Sequence, residues 1–239
     1  NSSFIITHSS LKIMCGRFSF VTSAEKVKQQ LGNIQTGDNL RINYNVAPTQ
    51  QSYIITNQEP DRLRYLTWGL IPYWSKEGRI SGRLINARSE GISSKPSFRM
   101  AVRQRRCLVL MDSFYEWQRR GTEKIPQRIF LKNGNLLLLA GIWEKWEKGS
   151  NQLETFSIIT TEPNQEMQPI HNRMPVILET KEKQAEWLHT EKLNDALKLL
   201  VTPSDGLLDT YQVSTTVSSV KNNSVELHQK IETPPDLFS

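Results

Sequence analysis

The stretch from Arg106 to Trp146 restricts the fold more than any other part of the sequence. It holds three strand-length runs, CLVLMDSFYEW, IPQRIFL and LLLLAGIWEKW, rich in aliphatic and aromatic residues. Only short polar segments separate them. A parallel pair needs a crossover of about a dozen residues or more, so consecutive strands this close predict antiparallel pairing. KNGN stands between the last two runs, and Asn-Gly is a strong hairpin signal, so these two are expected to pair with each other.

The rest of the chain agrees with that class. SYIIT reads as a strand, and RLRYLTW alternates, with Leu63, Tyr65 and Thr67 on one face. TFSIITTEP, MPVIL and YQVSTTVSSV read as further strands, whereas INYNVAPTQ is turn-rich. TSAEKVKQQLGN predicts a short helix: Thr22 and Glu25 have capping-box spacing, Val27 and Leu31 share a face, and Gly32-Asn33 ends it. In KPSFRMAVRQRR, Pro96 suits a first helical turn, Phe98, Ala101 and Val102 form an apolar stripe, and Arg99, Arg103 and Arg106 share another face. KEKQAEWL and EKLNDALKLL are amphipathic helices. The expected fold is α+β: a single domain built on mostly antiparallel strands, a barrel-like sheet, with peripheral helices.

Composition closes off several functions. No apolar run approaches the ~18 residues of a membrane-spanning helix, and mean hydropathy is −0.49. Two cysteines in 239 residues, Cys15 and Cys107, make no disulfide framework and suit a reducing compartment, with a cytoplasmic location expected. Cys107 lies in an apolar run and reads as a buried, inert thiol. The four histidines are scattered and no CxxC or HExxH occurs, so neither metal nor other cofactor is expected. WGLIPYW carries three large aromatics that cannot all be core if Pro72 bends the chain.

Charge is concentrated. Between Arg83 and Lys132 there are twelve Lys/Arg against four Asp/Glu, a local excess of +8 beside a whole-chain net of +6. Such a concentration suits a polyanion; its plain alternative is a solvated basic face. Residues 1–13 read as an appended leader, an over-extended start or a removable pro-segment, residues 14–230 as the domain, and residues 231–239 as a flexible tail.

Four segments place reactive groups in apolar or turn contexts: MCGRF with Cys15, INARSEG with Asn86, Arg88 and Glu90, DSFYEWQ with Glu116, and QPIHNRMP with His171. Taken one at a time, each also has a structural reading. The strand pattern turns Glu116 to solvent, opposite Tyr115 and Trp117; His171 can be a turn residue bonded to backbone; Asn86 can cap a turn and Arg88 can pair with Glu90. Together Cys, His, Asn and Glu also fit a thiol peptidase.

MCGRF, YNVAP, WGLIPYW, INARSE, the basic stretch, DSFYEW and PIHNRMP occur in one order, and from Met14 to about Leu178 the chain resembles the SRAP (SOS response-associated peptidase) family of abasic-site-processing proteins. The resemblance implies that Cys15 is the nucleophile, with Asn86, Glu116 and His171 as its catalytic companions. It implies covalent capture of abasic sites in single-stranded DNA as a thiazolidine at an N-terminal cysteine, with removal of the residues before it. Expected binding residues are Arg17, Arg88 and, more weakly, Arg173 for phosphates, and Trp68 for stacking on an exposed base. The expected state is a monomer that associates with the nucleoid on damage. Two other classes stay open: a thiol peptidase using Cys15 and His171 on external peptides, and a non-covalent single-strand binder.

The chemistry makes the peptide bond before Cys15 decisive. A ring-opened abasic site presents an aldehyde, which a neutral amine attacks. An α-amine titrates near about 7.7–8.0, against about 10.4 for lysine, so a useful fraction is neutral at neutral pH. Its thiol then closes a five-membered ring on the imine carbon. An internal cysteine has its nitrogen in an amide and cannot react this way.

Overall fold

A computed structural model describes residues 16–37, 39–80 and 82–232. The strands in chain order are β1 (Phe18–Phe20), β2 (Asn43–Val46), β3 (Gln51–Thr56), β4 (Glu59–Trp68), β5 (Asn86–Arg88), β6 (Arg106–Met111), β7 (Ser113–Arg120), β8 (Glu123–Leu131), β9 (Leu137–Lys148), β10 (Asn151–Thr161), β11 (Met174–Pro175) and β12 (Leu208–Gln212). The helices are α1 (Ala24–Leu31), α2 (Arg99–Gln104), α3 (Lys181–His189) and α4 (Leu193–Lys198), with 3-10 turns at Thr215–Ser218 and Val225–His228.

Two sheets result. One has five strands in the order β12-β8-β7-β1-β2; the other has seven, with the path β11-β10-β4-β3-β6-β9 and β5 beside β10. Because β10 bonds β4 on one edge and β9 on the other, that path closes into a barrel-like circuit. Most pairings are antiparallel, while β10 runs parallel to β4 and β5.

Alternation along the seven-stranded sheet divides its side chains between two cores. Tyr53, Ile55, Leu108, Leu110, Leu138 and Ala140 face one side and pack with Val27 of α1, Val102 of α2 and Trp187 of α3. Ile54, Cys107, Val109, Leu137 and Leu139 face the other and meet Phe18, Phe114 and Ile129 of the five-stranded sheet. Both faces are therefore dry, which is why these strands read as near-continuous apolar runs. Cys107 is fully buried and desolvation pushes its thiol well above the ordinary range, as a core residue. Across from it Gly141 lets the strands close up: a Cβ there would lie 2.9 Å from the Cys107 sulfur.

Several local readings change. Hairpins do join β3 to β4, β7 to β8 and β9 to β10. KNGN does not join a hairpin: Gly134 takes φ +72°, but the chain passes from one sheet to the other, so β8 pairs with β7 and β12 while β9 pairs with β6 and β10. The turn chemistry is real, but the partner on each side is chosen by the two cores. Ser23, not Thr22, caps α1, its Oγ accepting from the Lys26 N–H at 3.3 Å. Arg106 belongs to β6 rather than to a helical face. It is 3% exposed, and its Nε donates to Trp187 O at 2.6 Å. INYNVAPTQ contains β2, and the late strand ends at Gln212 before a 3-10 turn. Residues 1–15 and the tail beyond residue 232 lie outside the described residues.

The last segment covers the outer face of the five-stranded sheet. His228 packs its ring on Tyr44 and Tyr115, with centroids 4.9 and 6.3 Å away. Burial, assisted by the nearby Arg128 charge, lowers its pKa from 6.5 to about 3. The folded chain therefore keeps this imidazole neutral where the unfolded chain would protonate it. Its stabilising contribution is complete above pH 6.5 and is lost as pH falls toward about 3. Thermal melts across that window should show the wild-type Tm falling more steeply than that of His228→Phe; parallel curves would refute the assignment.

Candidate active site

Strand register decides what the chain's first described residues meet. Phe18 pairs with Phe114 and Ser19 with Ser113, and the Tyr115 N–H donates to Arg17 O at 2.9 Å. Tyr115 precedes Glu116, so the described chain enters the sheet alongside the strand that carries Glu116. Cys15 itself lies outside the described residues.

Glu116 is 3% exposed, not turned to solvent as the strand pattern suggested. Its cross-strand partner is Gln127, two pairs along from Phe114 and Ile129, which belong to the core between the sheets. Glu116 thus shares their face, and the opposite sheet covers it. Tyr115 and Trp117 take the other face, beneath the C-terminal 3-10 turns. One strand's alternation cannot reveal which of two faces is covered. Polar neighbours continue outward: Gln127 Nε2 donates to Gln118 Oε1 at 3.4 Å, and Gln118 Nε2 donates to Pro169 O at 3.1 Å.

Asn86 arrives from the other sheet. It pairs with Ile158 of β10, whose side chain lies in the same inter-sheet core, and registered partners share a face. Arg88, two residues on, faces the same way and is exposed. His171 lies in the segment joining β10 to β11. Asn164, 5% exposed, organises that segment by accepting the Met167 N–H on its Oδ1 at 3.1 Å, and the His171 N–H bonds Met167 O at 2.9 Å. His171 Nδ1 meets the Arg173 backbone on both sides, 3.2 Å from its N–H and 3.4 Å from its carbonyl oxygen, accepting from the first in one tautomer and donating to the second in the other. Asn86, Glu116 and His171 each make further noncovalent contacts.

Arg173 locks the His171 segment to β5 and β10. Its guanidinium grips Glu90 at 2.6 and 2.8 Å and donates to Thr160 O at 2.7 Å. These bonds, with that charge, hold the Glu90 carboxyl below its usual range. The contacts Gln118–Pro169, Arg173–Thr160 and Arg173–Glu90 tie the segment that carries His171 to β7, which carries Glu116, and to β10 and the residues after β5, which carries Asn86.

Arg17 is half-buried, and desolvation lowers its pKa. Its NH1 donates to Asn45 Oδ1 at 2.9 Å and to Val217 O at 2.8 Å, and its carbon lies 6.0 Å over the Trp117 ring. Asn45, 1% exposed, in turn donates to Val217 O, Ser219 O and Asn222 O. Asn45 was missed in the sequence; its only signal is an amide inside the YNVAP segment. Together Asn45 and Arg17 tie the entry of β1 to the C-terminal segment.

Trp68 requires correction. It is fully buried, its ring parallel to Phe156 at 6.5 Å and its Nε1 donating to Ile85 O at 2.9 Å, so no base can reach it. The exposed aromatics of WGLIPYW are Tyr73 (50%) and Trp74 (53%). Charge also sorts itself. Arg106 is buried, Arg105 pairs with buried Glu144, and Arg128 bonds Ser113 and Tyr211, while Arg83, Arg88, Lys95, Arg99 and Arg103 reach solvent. Among the described residues no group of three or more His, Cys, Asp or Glu is placed to hold a metal ion, and no helix is long and apolar enough to cross a membrane.

Comparison with known proteins places this arrangement. The family model "SOS response associated peptidase (SRAP)" matches residues 14–220. "Abasic site processing protein YoqW" of Bacillus subtilis (strain 168) is 45% identical over 221 residues, covering 90% of this chain and 98% of that protein. "Abasic site processing protein HMCES" of Gallus gallus is 31% identical over 265 residues, covering 92% of this chain and 78% of that protein. A crystal structure of a protein from Bacteroides thetaiotaomicron superposes with a TM-score of 0.82 at 29% identity, covering 91% of this chain and all of the other. With its motifs in order and a family match along most of its length, the chain belongs to the SRAP family.

Proposed function

We propose that this chain captures abasic sites in single-stranded DNA as a thiazolidine at Cys15, once the residues before it have been removed. The observation that carries the reading is the strand register that runs Arg17 and Phe18 alongside Tyr115 and Phe114, on the strand that carries buried Glu116. The abasic-site-processing names of the similar proteins support it.

The steps balance as follows. The Cys15 amine adds to C1′ of the open aldehyde, and the resulting carbinolamine loses water to give an imine. The Cys15 sulfur then adds to the same carbon, and its proton passes to the imine nitrogen. One C–N and one C–S bond form and one water leaves. Glu116, beside the entering chain, takes the ammonium proton and returns it to the departing hydroxyl. His171 donates a ring proton to the sugar ring oxygen and favours the open aldehyde. Asn86 holds the adduct by hydrogen bonds from the opposite sheet. Arg88 offers an exposed guanidinium to phosphate and Arg17 adds positive potential from an anchored position, whereas the charge of Arg173 is neutralised by Glu90. Stacking on a neighbouring base falls to Tyr73 and Trp74 in place of Trp68. The scheme needs one peptide bond cut, between Met14 and Cys15, and self-cleavage is its simplest source.

The test varies the substrate. Processed chain mixed with single-stranded DNA carrying one abasic site should give a heat-stable adduct. The tetrahydrofuran analogue, which has no aldehyde, should bind reversibly and give none. An equal heat-stable adduct with the analogue would refute capture through the aldehyde.

A further inference from the structure

The exposed Tyr73–Trp74 pair is not on a free loop. After β4 the chain lies across the projecting end of the β9–β10 hairpin and is bonded at nearly every second residue. The Gly69 N–H donates to Phe156 O at 2.9 Å and the Ile71 N–H to Thr155 Oγ1 at 2.9 Å. The Tyr73 N–H faces the Glu144 carboxylate and favours its charged form. Trp146 Nε1 donates to Ser75 O at 2.7 Å, and Lys148 Nζ to Lys76 O at 2.9 Å. Glu144, Trp146 and Lys148 are alternate residues of β9 and share one face, so the strand's own period spaces the clamp.

The clamp is built into the interior. Glu144 is 2% exposed and paired with Arg105 at 2.7 Å, which couples it to the end of α2. Trp146 is 5% exposed, and Gly78 sits on its ring so closely that a Cβ at residue 78 would lie 2.3 Å from it. Gly78 also has φ +61°, a conformation that favours glycine. On the far side Trp74 Nε1 reaches Pro96 O at 3.4 Å. Two large aromatics half in solvent are thus held between a buried strand face and the segment before α2.

We infer that Glu144 and Trp146 are positioning residues for nucleic-acid capture: they fix the height and angle at which Tyr73 and Trp74 meet an unpaired base beside the abasic site. The inference rests on the single-strand reading of the site and adds the part of the fold that aims it. Preorganised aromatics bind a base without first paying for loop ordering, so loosening the clamp weakens binding while leaving the reacting groups in place.

The experiment uses processed chain and an abasic single strand with 2-aminopurine beside the lesion. Trp146→Ala should raise the half-saturating DNA concentration about fivefold or more, reduce the 2-aminopurine quench, and leave the crosslinking rate at saturating DNA unchanged. Trp146→Phe, which keeps the ring under Gly78, should recover most of the loss. Gly78→Ala displaces the loop without removing the tryptophan, should reproduce the weaker binding, and decides the matter if Trp146→Ala fails to fold. Wild-type binding and quench in folded Gly78→Ala and Trp146→Ala would overturn the inference. Trp74→Ala separates the two levels: if it too binds like wild type, the stacking reading has failed; if it alone weakens binding, only the positioning role has.

Discussion

Cys15→Ala, prepared with alanine as the first residue, is expected to lose the heat-stable adduct with abasic single-stranded DNA entirely and to retain one that borohydride can trap. The variant keeps the α-amine and so still forms the imine, but no sulfur is present to close the ring. The imine then hydrolyses or eliminates the 3′ phosphate, so strand cleavage should rise as the stable adduct disappears. Cys107 cannot stand in: it is fully buried between the sheets and its thiol is pushed well above the ordinary range. Gel electrophoresis after heating, with and without borohydride, reads both products in one experiment. A heat-stable adduct of wild-type yield from Cys15→Ala would show that another group forms the bond.

The second large effect is expected at Glu116. Glu116→Gln preserves shape and removes the base, so the single-turnover crosslinking rate at saturating DNA should fall by about 10²- to 10⁴-fold. DNA affinity should stay within about twofold, since the side chain is buried and faces the inter-sheet rim rather than a phosphate track. Stability should not suffer, because an amide is cheaper to bury than a carboxylate. A rate within a few-fold of wild type would reduce Glu116 to a structural role, leaving the α-amine to lose its proton to solvent.

The legible part of this fold was its class. Closely spaced apolar runs forced antiparallel neighbours, and the structure has those hairpins at β3–β4, β7–β8 and β9–β10. What local sequence could not show was which face another layer covers. Trp68 and Trp74 belong to one aromatic segment, yet one lies against Phe156 in the core and the other is half in solvent. Glu116 looked solvent-facing because its strand neighbours are aromatic, but those aromatics face a second, separate cluster under the C-terminal segment. The basic stretch shows the same limit. Its excess of charge was real, but Arg105, Arg106 and Arg128 are spent on Glu144, backbone carbonyls, Ser113 and Tyr211. KNGN named a turn correctly and its strand partners wrongly, since partner choice depends on cores assembled from distant segments.

Asn86, Glu116 and His171 were proposed from ordered motifs that lie far apart along the chain. One comes from each sheet and one from the segment that follows β10, so no single element contains all three. The residues that hold them are less visible in sequence. Asn45 and the Arg173–Glu90 pair act through contacts to remote backbone and side chains that no local pattern reports.

The central claim is that the reagent is a 1,2-aminothiol made by cutting the bond before Cys15. Its most direct test compares two preparations by intact mass after incubation with an abasic oligonucleotide: one retaining residues 1–14 and held uncut, the other beginning at Cys15. The account predicts a single adduct, lighter by one water than protein plus DNA and stable to heat without reduction, from the second preparation alone. The same heat-stable adduct on the uncut chain, with Met14 still attached, would contradict it.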